Sequence, residues 1–139
     1  MIGGVLRVRI SAAEVAAEAR LRGATVGLVD SFDERRALFA AIGRALRFPA
    51  RYSRDLDALA DCLGDLSWLP AGEVVLVWDG SDALRQADPR GHRVLLDVLA
   101  AAVDATADGT RPLRVVLSGT VPVRYVADVQ AVNEHGRVV

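Results

Sequence analysis

Lysine is absent. All 17 basic residues of the 139-residue chain are arginine, and 18 acidic residues nearly balance them, for a formal net charge of −1. Bulk charge therefore offers no general attraction for a nucleic acid or an anionic membrane. Because alanine is so abundant, the arginine bias reads as a coding preference, and an arginine cluster carries less functional weight than usual. Cysteine occurs once, at Cys62, so no intrachain disulfide forms and the chain suits a reducing compartment. Cys62 itself reads as a small, half-buried apolar residue. The two histidines, His92 and His135, stand at no metal-ligand spacing from each other or from Cys62, and His92 reads as a surface residue near a helix start.

Long apolar runs are also missing. The most apolar stretch, Val94 to Val103, is interrupted by Asp97 and is far shorter than the roughly 20 residues of a membrane span. The N-terminal stretch carries Arg7 and Arg9 inside its apolar part with no small-residue cleavage signal after it, which argues against a secretory signal. No glycine-rich phosphate cradle is legible, since Val29 is followed by Asp30-Ser31-Phe32-Asp33, without the glycines and lysine such a loop uses. Ser118-Gly119 closes a strand but lacks the Gly-x-Ser-x-Gly elbow. The expectation is a cytoplasmic protein that is not an enzyme, uses no cofactor or metal, and touches neither nucleic acid nor membrane directly.

What is present is a core. Hydrophobic residues make up 52% of the chain, enough for one folded domain of common size. Val5 to Ile10 reads as a short strand or an extended lead-in. Ser11 and Glu14 form a capping box opening an Ala-rich helix that stops near Gly23. Thr25 to Val29 reads as a buried strand, and Ser31 with Glu34 as a second capping box. Leu38, Ile42, Ala45 and Leu46 then mark one helical face. Glu73 to Trp78, with its Val-Val-Leu-Val centre, is the clearest buried strand, and Leu113 to Leu117 is another. Between them lie a short helix from Ser81 to Gln86 and a longer one, capped by Asp88-Pro89, reaching about Ala105. Beyond Gly119, Val121 to Val129 alternates like an edge strand and could equally be disordered. Strands alternating with helices imply an α/β fold: a small parallel β-sheet of three core strands, with room for a fourth, flanked by helices.

The stretch from Tyr52 to Trp68 stands apart. Ser53 reads as an N-cap, Leu56, Leu59, Ala60 and Leu63 as the apolar stripe, and Gly64 as the stop. Asp57 and Asp61 then fall together on the outward side, one turn apart. Like charges at this spacing weaken a helix by about 0.2–0.5 kcal/mol per pair. As a solvated pair they make poor acid/base catalysts, because nothing in the pattern separates their ionisation. They are either decoration or a surface for something positive.

Phe48-Pro49-Ala50-Arg51-Tyr52-Ser53-Arg54-Asp55-Leu56-Asp57-Ala58-Leu59-Ala60-Asp61-Cys62-Leu63 resembles the Leu-Pro-x-Tyr-Tyr-Gly-x-Asn-Leu-Asp-Ala-Leu-x-Asp-x-Leu signature of the barstar family, small intracellular inhibitors of barnase-type ribonucleases. The resemblance extends over 24–118, leaving 1–23 as an N-terminal strand and helix extension and 119–139 as a C-terminal tail of the same single domain. It implies a barstar-like fold and an antitoxin-like inhibitor whose acidic helix enters the active site of a basic ribonuclease or related toxin. By position, the resemblance makes Asp57, Asp61, Asp55, Tyr52, Arg51, Arg54 and Gly64 the partner-binding residues. Asp61 matches the aspartate that enters the phosphate pocket, and Asp57 a second interface aspartate. Arg51 replaces a family tyrosine, Ser53 a glycine, Ala60 a tryptophan and Gly64 a threonine, while Ala101 stands where an interface glutamate would lie. These departures point to a diverged ribonuclease, or alternatively to a non-inhibitory interaction module on the same fold.

Overall fold

Five consecutive residues, Val74 to Trp78, are buried in one strand, which requires cover on both faces and a neighbour on each edge. The computed structural model, which describes residues 4–119 and, as backbone, 130–132, supplies all of these. Strand β3 (Val74–Asp79) pairs in parallel with β2 (Thr25–Val29) on one side and β4 (Leu113–Ser118) on the other. The register sets Val74 opposite both Thr25 and Leu113. Strand β1 (Val5–Val8) joins the far edge of β4, and β5 (Gln130–Val132) joins β1, giving the order β2-β3-β4-β1-β5. The sheet is thus wider than the three strands and possible fourth expected. The fourth is the N-terminal segment; the fifth begins just beyond the alternating stretch Val121–Val129, which falls outside the described residues.

Alternation along β3 divides the core in two. Val74, Leu76 and Trp78 face a large cluster with Leu38, Ile42, Leu59, Leu63, Leu96 and Leu99, supplied by α2 (Arg35–Ala45), α3 (Leu56–Asp65) and α5 (Pro89–Thr106). Val75 and Val77 face the opposite way, against α1 (Ala12–Leu21), whose buried residues Ala12, Ala16 and Ala19 are small enough to bring the helix close to the sheet. A short helix α4 (Asp82–Ala87) leads into α5, whose N-cap Asp88 accepts from the Gly91 amide at 3.0 Å and pairs with Arg35 at 2.8 Å. That pair fastens the start of α2 to the start of α5.

Several expected helix ends move. Ser11 does cap α1, accepting from the Glu14 amide at 3.1 Å. The second capping box does not form: Ser31 donates instead to the Gly80 carbonyl at 3.0 Å, and α2 starts after Glu34, which makes no side-chain cap. In α3 the cap is Asp55, which accepts from the Ala58 amide at 2.8 Å, while Ser53 donates to the free carboxylate oxygen at 2.7 Å. A carboxylate that can accept from both leaves the serine as its donor. Gly64 does not stop the helix. The turn is made at Leu66, left-handed at φ 54° and fully buried, because its side chain is worth more in the core than glycine's freedom is at the surface. The buried stripe is therefore Leu59, Cys62, Leu63 and Leu66, with Ala60 exposed. His92, expected at the surface, is buried against Trp78, ring centroids 5.7 Å apart.

Candidate functional site

The site begins where α2 ends. Leu46 is its C-cap and Arg47 follows in the left-handed region at φ 56°, with Phe48 N–H donating to the Gly43 carbonyl at 2.8 Å and Arg47 N–H to Arg44 at 3.3 Å. This is the two-bond helix ending normally made with glycine. A left-handed non-glycine residue costs about 1–2 kcal/mol, and the loop contains a second one, Arg54 at φ 62°.

Aromatic packing holds the strained loop in place. Tyr52 meets Phe48 edge-on at 4.8 Å, and Phe48 meets Trp68 edge-on at 5.6 Å. Such pairs contribute about 0.5–1.5 kcal/mol each beyond the area they bury. The Tyr52 hydroxyl donates to the Phe39 carbonyl at 3.0 Å, and Trp68 Nε1 donates to the Leu46 carbonyl at 2.9 Å. Gly43 makes the first contact possible, since a Cβ there would sit 2.7 Å from the Tyr52 ring. Burial pushes the Tyr52 phenol up to about 12, with Cys62 and Asp55 adding to the effect. Beyond α3, Arg111 Nε donates to the Leu69 carbonyl at 2.6 Å, fixing the exit of the segment.

On this rigid base stand the carboxylates. Asp57 and Asp61 are exposed and adjacent on α3, and among the described residues no arginine lies within ion-pair distance of either. Asp65, one turn further, accepts from the Ser67 hydroxyl at 3.2 Å and has a loose exposed pair with Arg51 at 3.9 Å. Asp55 is committed to its cap; the Ala58 amide and then the Ser53 hydroxyl hold its carboxyl below the ordinary value. Arg51, Tyr52, Asp55, Asp57 and Asp61 together line an open groove of about 390 Å³, joined by Ser53, which the resemblance put in the binding loop, and by Ala58 and Cys62, which sequence reasoning did not place there. Arg54 points elsewhere: it lines a neighbouring groove of about 220 Å³ with Arg44 and Arg47. Those two arginines were missed because a left-handed turn on a non-glycine residue leaves no mark in the sequence. Gly64 is exposed on the last turn of α3 and lines neither groove.

Among the described residues, no group of His, Cys, Asp or Glu side chains is arranged to hold a metal, and no helix is long and apolar enough to cross a membrane. Chemically, the groove can accept cations or hydrogen-bond donors through Asp57 and Asp61.

No curated protein matches the chain in sequence. Its fold is similar to that of a chain in the structure of Drosophila ORC bound to AT-rich DNA and Cdc6, with a TM-score of 0.51 at 12% identity. That match covers 98% of this chain but only 49% of the other, so this chain spans about half the length of that one. At such identity the likeness is one of fold alone. The family model described as Barstar (barnase inhibitor) matches residues 28–118, running from β2 through α3 and its carboxylates to the end of β4. The match spans well over half of the sequence, and the chain belongs to the barstar family.

Proposed function

We propose that this protein is an intracellular, antitoxin-like inhibitor that blocks the active site of a basic ribonuclease or related toxin with the acidic face of α3. It performs no catalysis of its own. The observation that supports this reading most is the pair Asp57 and Asp61, left exposed and without an arginine partner on a helix whose other face is fully buried. In the free protein the two carboxylates repel. In the complex each meets a cation of the enzyme where RNA phosphates would otherwise bind, and the repulsion becomes attraction.

The magnitudes favour this exchange. Truncating one partner of a buried charge pair at an interface costs about 2–5 kcal/mol, a range whose measured cases include barnase–barstar itself and which is therefore a family value. The intrahelical repulsion is only about 0.2–0.5 kcal/mol per pair. Association would be accelerated by charge and would weaken with added salt.

The test is calorimetric titration of the full chain with a barnase-type ribonuclease. Asp61→Ala is expected to weaken binding by about thirtyfold or more, while Glu14→Ala, on the opposite face of the sheet, leaves it unchanged. Equal, small effects of both substitutions would refute the reading.

A further inference from the structure

Tyr52 lines both grooves. The groove on one side holds Asp55, Asp57 and Asp61 with a single arginine, Arg51; the groove on the other holds Arg44, Arg47 and Arg54 and no acidic residue. All three arginines are exposed, and among the described residues none forms an ion pair. Two other exposed arginines are paired, Arg22 with Glu73 and Arg35 with Asp88. Two of the three groove arginines occupy left-handed backbone, and the aromatic stack of Tyr52, Phe48 and Trp68 fixes the turn that carries them. The surface is therefore bipolar: an anionic groove and a cationic one share a rigid wall.

A partner that is cationic throughout its binding face fits half of this surface and is repelled by the other half. A polyanion such as RNA has the converse difficulty, because its successive phosphates would have to run past Asp57 and Asp61. A protein that carries a carboxylate-bearing segment beside a cationic pocket satisfies both grooves. Resting on the inhibitor reading for the identity of the acidic groove, we propose that the Arg44–Arg47–Arg54 groove is a specificity site that receives carboxylate side chains of the same protein partner. The arginines thereby select a toxin whose active-site rim is acidic and discriminate against one whose rim is basic.

The proposal can be tested on the isolated full chain by nuclear magnetic resonance titration with a short oligoglutamate peptide, with a short oligouridylate and with inorganic phosphate as separate probes. Oligoglutamate is expected to shift the signals of Arg44, Arg47 and Arg54 and to bind about tenfold more weakly to Arg47→Glu/Arg54→Glu. Arg47→Gly/Arg54→Gly should weaken it as well; glycine adopts the left-handed backbone without strain, so that loss cannot be ascribed to unfolding. Oligouridylate or phosphate binding the groove more tightly than oligoglutamate, or oligoglutamate binding unchanged in both variants, would overturn the proposal. A barnase-type ribonuclease with a basic rim should bind the Arg→Glu variant more tightly than the wild type, and weaker binding would also count against the proposal. Should that ribonuclease bind neither form while the oligoglutamate result holds, the inhibitor reading fails and the carboxylate-receiving groove stands.

Discussion

Helices α1 and α3 are each ten residues long, each begins at a side chain that accepts from a first-turn amide, and they lie on opposite faces of one sheet. They treat charge differently. On α1 the outward charges are mixed and compensated: Arg22, its C-cap, lies 3.6 Å from Glu18 and 3.0 Å from Glu73. On α3 the outward charges are all acidic, and Asp61 sits one turn from both Asp57 and Asp65. Their undersides differ too. Helix α1 is seated through alanines, and α3 through Leu59, Leu63 and the Leu66 that ends it. A helix that only covers a sheet can be neutral outside and lightly anchored. One that holds like charges in fixed positions against their own repulsion needs deep anchors, and it is α3 that has them.

Substitutions can break this contrast at either helix. The largest effect is expected from Leu63→Ala, which removes a fully buried side chain under the carboxylates and should lower unfolding free energy by about 2–5 kcal/mol in denaturant titrations. Next comes Gly43→Ala, whose added methyl displaces the Tyr52 ring. A loss of about 1–3 kcal/mol is expected, together with a changed environment for Tyr52 in fluorescence. The matching change under α1, Ala16→Gly, should cost only about 1 kcal/mol, mostly helix propensity. Arg22→Ala, which removes an exposed compensating charge, should cost less than about 1 kcal/mol. A larger loss from Ala16→Gly than from Leu63→Ala would dissolve the comparison.

Acid and alkali should act on different elements. The Asp55 carboxyl is held low by the Ala58 amide and the Ser53 hydroxyl, and that of Asp88 by the Gly91 amide and Arg35. Folding therefore favours their ionised forms. That stabilisation is complete above the ordinary carboxylate range and is lost as pH falls through the lowered values. Asp55→Ala and Asp88→Ala should each flatten the acid side of a plot of Tm against pH. Tyr52 works in the other direction, because its phenol is raised to about 12. Its stabilising effect is present below the ordinary tyrosine value near ~10 and is lost as pH rises from there through about 12. Tyr52→Phe should remove that alkaline loss, as monitored by circular dichroism.

Much of this was legible in the sequence wherever a pattern has one physical outcome. The Val-Val-Leu-Val run of β3 read as a buried strand and Asp88-Pro89 as the opening of a helix, and both stand so in the structure. Leu56-Asp57-Ala58-Leu59 with Asp61 placed the two carboxylates outward, where they are found. Local signals failed where two groups competed for one role. Ser53 lost the α3 cap to Asp55, and Ser31 was drawn to the Gly80 carbonyl across the sheet end. Gly64 was overruled by the burial of Leu66. The arginine groove depends on left-handed residues at Arg47 and Arg54, and only tertiary contacts with Tyr52 and Trp68 determine those.

If α3 is the inhibitory face, Asp61 is unfavourable in the free protein and favourable in the complex. Measuring Asp61→Asn for both unfolding free energy and ribonuclease affinity tests it directly, since asparagine keeps the shape and removes the charge. Stability is expected to rise by about 0.2–0.5 kcal/mol for each relieved pair, while affinity falls by about thirtyfold or more. A fall in stability or an unchanged affinity would mean that Asp61 does not play this double part.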